Sequence, residues 1–218
     1  SARKAPRTDR LALCPPAMES APAQWYRSIP PVTRALATVY VAVSMLAKLK
    51  YVSPVLLILH WPSVLKRYQA WRLLTSACYI GPFGLFFVIL LALLVFFGAR
   101  LERGKAAAHS SLNFAVFLLS QVLILDGIAY LLRGRLNIVV IGPSLVLAVL
   151  WRWARLEPDA EVAFLSFSMK GRWVPVAFTV LRVMLGDTIY ENLIGAASVL
   201  VFELLTDLAD KYRLPSPA

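Results

Sequence analysis

Cysteine, histidine and charge are all scarce in this chain of 218 residues. Its two cysteines, Cys14 and Cys78, cannot build a disulfide framework or a metal site, and they leave the redox compartment open. Charged residues make up only 16% of the chain, where soluble domains carry about a quarter. Hydrophobic residues reach 59% and the mean hydropathy is +0.68, which excludes an ordinary soluble class. No internal repeat or low-complexity segment is visible. Without an inverted repeat, a small-solute transporter is disfavoured.

Long apolar runs are what the chain has instead. Residues 80–99 form one, broken only by Gly81, Pro82, Gly84 and Gly98, long enough as a helix to cross a hydrocarbon core of about 30 Å. Trp71 and Arg72 precede it, where an aromatic ring and a snorkelling cation suit the headgroup level. Arg100, Glu102, Arg103 and Lys105 follow it and mark its exit into water. The formal net charge of +11 would point to nucleic acid in a soluble chain. Here the basic residues flank apolar runs, so membrane orientation and anionic headgroups account for them and no nucleic-acid partner is expected.

In chain order, residues 1–24 form a basic, proline-containing tail expected to be disordered. Residues 1–17 are either translated upstream of a start at Met18 or a short targeting extension. Residues 25–34 read as an amphipathic segment anchored by Trp25, Tyr26 and Ile29. A first span follows over residues 35–52, its uncharged part limited to residues 35–47 by Lys48 and Lys50. Residues 54–68 form an interfacial loop. A third span covers 112–132 with Gln121 and Asp126 inside it, and a fourth covers 136–153. A fifth element at 162–185 is broken by Lys170, Gly171 and Arg172, and a sixth span covers 189–208. Residues 209–218 form a short polar tail. The expected fold is an all-α membrane protein with six transmembrane helices in one domain, residues 25–208.

Several separated motifs in this order resemble the Derlin family of rhomboid-like membrane proteins. They are Gln24-Trp25-Tyr26-Arg27-Ser28-Ile29-Pro30-Pro31-Val32-Thr33-Arg34 before the first span, Trp71-Arg72 before the second, Arg100-Leu101-Glu102-Arg103-Gly104 after it, and Leu193-Ile194-Gly195 in the sixth. The resemblance implies a rhomboid-like fold and a pseudoprotease of the endoplasmic reticulum membrane. It implies a role in returning misfolded proteins to the cytosol for degradation, with a membrane-bound ubiquitin ligase as partner, the lipid bilayer as working medium, and assembly as a homo- or hetero-oligomer. No cofactor is implied. Derlins need the Trp71-Arg72 pair for activity. Some carry a Gly-rich tail motif that recruits a cytosolic AAA extraction ATPase; the tail here lacks it, so that contact is expected to be indirect. A second reading is a relative moved to an outer membrane of a complex plastid, supported only by the basic extension.

Rhomboid proteases share the six-span plan, so catalysis is a direct question. Acyl chemistry in a membrane needs a serine activated by a base and donors for the oxyanion. Rhomboids use Gly-x-Ser-Gly in the fourth span and a histidine three residues before a glycine in the sixth. Here Gly142-Pro143-Ser144-Leu145 lacks the second glycine, and the position three before Gly195 is Asn192, which is no base. The two histidines, His60 and His109, fall in loops. Protease activity is therefore disfavoured.

The sixth span carries a face of small and polar residues, with Asn192 and Gly195 at its centre, suited to close helix packing or to a partner. Val199 stands where Derlins have a second glycine. Asp126, Arg182, Glu191 and Glu203 each carry charge into a span, at about 2.5–3.5 kcal/mol on insertion scales. For Asp126, Arg182 and Glu191, two readings stand: mutual pairing, as of Arg182 with Glu191 or Asp126, or a hydrated cavity that accepts polar polypeptide. Glu203 is expected near a span end. Orientation follows from Lys and Arg, 15 of 23 falling on the side that includes both termini. Both ends should then be cytosolic. Protease added to sealed microsomes should remove a tag from either end; protection of one end contradicts the six-span reading.

Overall fold

The computed structural model describes residues 21–104, 111–133, 140–164, 167–184 and 189–212. Most of the basic tail with Cys14 and Met18, Lys105, His109, the expected start of the fourth span and the last six residues lie outside the described residues. The architecture is helical: α1 (Ala21–Ser28), α2 (Pro31–Lys48), α3 (Pro54–Leu57), α4 (Trp61–Arg67), α5 (Trp71–Ala77), α6 (Leu85–Leu93), a π-turn (Leu94–Gly98), α7 (Ala99–Arg103), α8 (Ser111–Leu132), α9 (Gly142–Leu156), α10 (Val174–Met184) and α11 (Tyr190–Tyr212). Among the described residues, three columns are long and apolar enough to cross a membrane: Leu85–Arg103, Ser111–Leu132 and Tyr190–Ala209. They coincide with the second, third and sixth expected spans. The chain is a multi-pass helical membrane protein.

At the centre stands α9, whose residues from Gly142 to Leu150 are all buried. Neighbours reach it closely because glycines sit where backbones meet. A Cβ on Gly142 would lie 2.1 Å from the Tyr79 carbonyl oxygen, and one on Gly195 of α11 would lie 2.9 Å from that of Ser144. No larger side chain fits at Gly142 without moving backbone. On the outer columns, Leu112, Val116, Leu119 and Leu123 of α8 and Leu193, Leu200 and Leu204 of α11 are exposed, an apolar outer face suited to lipid.

Helix α2 begins at a sequence that cannot cap itself. Pro30 is extended and has no polar side chain, and Pro31 suits the first helical position because its missing N–H would be unpaired anyway. The N–H groups of Val32 and Thr33 still need acceptors. Glu102 of α7 supplies them: its carboxylate accepts from Val32 N at 3.0 Å, Thr33 N at 2.8 Å and Thr33 Oγ1 at 2.8 Å. A negative group also suits the positive end of the helix dipole. Glu102 is only 4% exposed, so the expectation that it marks an exit into water is corrected. Arg103 adds a donor to the Ser28 carbonyl, tying α1 to the same corner. Trp25 and Tyr26 of α1 are exposed, whereas Ile29 turns into the protein.

Further expectations change. The apolar run at 80–99 becomes helical only at Leu85, because Gly81 sits at φ +139°, a left-handed conformation open to glycine, and Pro82 follows it. The fifth element is a helix only in its second half. Residues Glu161–Phe164 and Phe167–Lys170 pair as an antiparallel ribbon, Glu161 opposite Lys170 and Phe164 opposite Phe167. A 3-10 turn at Gly171–Trp173 then leads into α10. Gly171 permits the return, since a Cβ there would lie 2.5 Å from the Glu157 carbonyl oxygen. The expected fourth span starts its helix at Gly142, and α11 continues through Tyr212, past the expected limit at residue 208.

Charge-assisted hydrogen bonds contribute about 1.5–3 kcal/mol each and do not add fully. Replacing Glu102 by alanine should therefore cost about 2–3 kcal/mol and lower the unfolding midpoint in detergent by roughly 5–10 °C. Glu102→Gln should fall between, and Thr33→Val should lose about 1 kcal/mol. An unchanged midpoint for Glu102→Ala would remove the remote cap as a stabilising element.

Candidate functional site

Two adjacent residues, Trp71 and Arg72, open α5 and point in different ways. Trp71 is 58% exposed and suits the interface, whereas Arg72 is 6% exposed. Its guanidinium donates from Nη1 to the Val55 carbonyl at 2.8 Å and the Ile58 carbonyl at 3.1 Å, and from Nε to Gln69 Oε1 at 2.7 Å. The snorkelling expectation for Arg72 is thus corrected. Its planar fork satisfies the backbone carbonyls of Val55 within α3 and Ile58 just after it. The interfacial loop at 54–68 therefore holds two short helices, α3 and α4, and Arg72 pins the first of them. Trp61 of α4 packs edge-on against Tyr130 of α8, with ring centroids 5.1 Å apart. The loop is fastened at both ends.

Beyond this loop, a cavity of about 370 Å³ opens between the start of α6 and the α10–α11 side. Phe83, Phe86 and Leu90 give it an apolar wall, and Arg182 with Glu191 gives it a charged one. Arg182 Nη2 lies 2.6 Å from Glu191 Oε2, with Arg182 4% exposed and Glu191 28% exposed. The Arg182 guanidinium also lies 6.0 Å from the Phe86 ring centroid, across the opening. Pairing offsets the cost of taking each charge out of water, and Glu191 sits in the first turn of α11, where the helix dipole favours an anion.

Asp126 is not part of this wall. It lies on α8, 6% exposed, and neither carboxylate oxygen has a hydrogen-bond partner among the described residues. Of the three expected cavity residues, only Arg182 and Glu191 are brought together. Gln121, fully buried on the same helix, also has both amide atoms unpartnered there. Glu203 is no bare span-end charge: it pairs with Arg152 at 2.6 Å and Arg155 at 2.8 Å, bridging α11 to α9.

Ser144 and Asn192, the two residues compared in the sequence with a rhomboid's catalytic pair, are both buried. Ser144 is 1% exposed with its hydroxyl unpartnered among the described residues, and Asn192 is 2% exposed. The Asn192 Oδ1 accepts from Trp151 Nε1 at 3.1 Å, so the side chain is engaged in joining α11 to α9. Gly195 lies against the Ser144 carbonyl, Leu147 and Ala148, and Val199 is fully buried. His60 contacts Ser63 Oγ at 2.8 Å in the interfacial loop.

The Der1-like family matches residues 29–214. The chain belongs to this family. Derlin-1.2 of Zea mays is 29% identical over 179 residues, covering 81% of this chain and 72% of the relative. Derlin-1 of Arabidopsis thaliana is 30% identical over 192 residues, 87% and 70% respectively, and Derlin-1 of Pongo abelii is 28% identical over 204 residues, 88% and 78%. Against this Der1-like background, the motif segments gain physical content. The Ile-Pro-Pro-Val-Thr entry and the Arg-Leu-Glu exit meet through Glu102, a contact that sequence reading missed although Pro30-Pro31, with no capping side chain, called for a remote acceptor.

Arg72→Ala should free α3 and the loop around it, raising amide exchange at residues 54–60 by roughly 30-fold or more, since a charged donor to three acceptors is lost. Arg72→Lys should fail similarly, because one ammonium cannot reproduce the fork. Trp71→Ala should leave that exchange unchanged. Equal protection in all three variants, measured by hydrogen–deuterium exchange in detergent, would contradict the clamp.

Proposed function

We propose that this chain is a Derlin-like, non-catalytic component of endoplasmic-reticulum-associated degradation, assisting return of misfolded proteins to the cytosol through a locally thinned membrane with a lateral opening. The observation that carries this reading is the cavity between α6 and α10–α11, apolar on one wall and ion-paired on the other. Such a lining suits a polypeptide that is partly polar and partly apolar. In this reading the chain spans the endoplasmic reticulum membrane six times with both ends cytosolic. Misfolded proteins are the substrates, a membrane-bound ubiquitin ligase is the partner, and the AAA ATPase acts indirectly. A homo- or hetero-oligomer provides the second wall of the path.

Helix lengths support the thinning element. At 1.5 Å per residue, α9 with 15 residues rises about 22 Å, against a hydrocarbon core of about 30 Å. A short column beside longer ones draws the leaflets together, at a fraction of a kcal/mol per Å of mismatch. A polar chain crossing there meets a lower desolvation barrier. Catalysis has no support in the residues: the position of a rhomboid base holds Asn192, occupied by Trp151.

Reconstitution in bilayers of increasing acyl length, with a tail-anchored misfolded substrate, tests both halves. Transfer should weaken as the bilayer thickens and no cleaved substrate should form. Thickness-independent transfer would remove the thinning account, and a specific cleavage product would overturn the non-catalytic one.

A further inference from the structure

We propose that a second cavity, between α1 and the column formed by the π-turn and α7, is a binding site for the phosphate of an anionic membrane phospholipid. This inference rests on the membrane placement of the chain and is independent of the transport reading. The cavity has a volume of about 500 Å³. Trp25, Ile29 and Phe96 form its apolar side, and Arg100, Arg103 and Glu157 its polar side. A graded lining of this kind matches an amphiphile whose headgroup and first acyl carbons enter together. Trp25, 61% exposed on an amphipathic helix, is placed to lie at the same level as the headgroups.

Arg100 carries the argument. Its guanidinium lies 4.3 Å from the Phe96 ring centroid and 5.6 Å from that of Trp153. A contact of this kind with a ring face takes no acceptor, so the guanidinium N–H donors stay available for an oxyanion. Among the described residues it has no carboxylate or hydrogen-bond acceptor. Arg103 donates to the Ser28 carbonyl and keeps further donors on the cavity side. Glu157 is engaged, its Oε2 accepting from Trp153 Nε1 at 3.0 Å. With two guanidiniums and one carboxylate, the cavity holds a net positive charge that one phosphate would neutralise.

The π-turn accounts for the placement. One extra residue in the turn shifts the phase of everything after it, and π-turns recur at functional sites. Phe97 packs on Trp153 with centroids 4.5 Å apart and Gly98 lies against Thr33, while Arg100 and Arg103 line the cavity next to α1. The turn thus serves the Glu102 cap and the cationic cavity together.

Native mass spectrometry of the delipidated full chain, titrated with phosphatidylserine, phosphatidylinositol and phosphatidylcholine, provides the test. Anionic lipids should be retained over phosphatidylcholine, and Arg100→Gln should reduce that preference about fivefold, the weight of one cation near an anionic surface. Lys66→Gln, which removes an exposed cation elsewhere, should keep the preference. Equal retention of phosphatidylcholine, or an Arg100→Gln variant with full preference, would overturn the site. In a parallel arm, inorganic phosphate and glycerol phosphate should leave the unfolding midpoint unchanged; stabilisation equal to that from the lipid would make the ligand a free anion and overturn the lipid assignment. A photoreactive phosphatidylserine on the unsubstituted protein provides a readout that needs no variant to fold: crosslinks should map to residues 25–29 or 95–103, and crosslinks confined elsewhere would refute the proposal.

Discussion

A single carboxylate joins the two ends of the first helical pair. Glu102, buried at the end of the column that starts at Leu85, satisfies the N–H groups that Pro30-Pro31 leaves open at the start of α2. In an apolar solvent an unpaired backbone group costs several kcal/mol, because water is absent as a substitute partner. The start of α2 is therefore tied to α7 wherever the pair sits in depth. Arg72 repeats the same solution with opposite charge, its guanidinium serving the carbonyls of Val55 and Ile58. Both are charged side chains used on backbone, and both lie within the stretch that matches the Der1-like family.

Around these fixed corners, the packing is organised by α9. Its sustained burial requires close neighbours on every side, which glycine provides at Gly142 and Gly195. Two inter-helix ionic contacts among the described residues, Arg182 with Glu191 and Glu203 with Arg152 and Arg155, lie on different parts of α11. Each joins α11 to another helix, so α11 is positioned by charge as well as by fit. By contrast, Gln121 and Asp126 on α8 are buried with unpartnered polar atoms among the described residues.

The protein's chemistry follows from what these groups are committed to. The Asn192 carbonyl oxygen accepts from Trp151, joining α11 to α9, and Ser144 lies buried at the close approach of Gly195 with its hydroxyl unpartnered among the described residues. Beside them, among the described residues, lie the 15-residue α9, the cavity at the start of α6 and the cavity beside α1.

Apolar runs by themselves determined the three long columns, because a helix of about twenty apolar residues has no competing solution in a bilayer. The family motifs and the pairing of Arg182 with Glu191 as one of two readings were also legible, since the chain places those charges nine positions apart across a break between helices. The ribbon at Glu161–Lys170 was not, because a short apolar run reads equally as strand or buried helix until a partner strand is seen. Nor could sequence separate Trp71 from Arg72: adjacency suggested a shared interfacial role, while three acceptors brought together by folding drew the arginine inward. Glu102 looked like an exit charge for the same reason. Its acceptor role depends on donors about seventy residues away, and only the tertiary structure brings them within 3.0 Å, because hydrogen bonds are set by distance in space rather than along the chain.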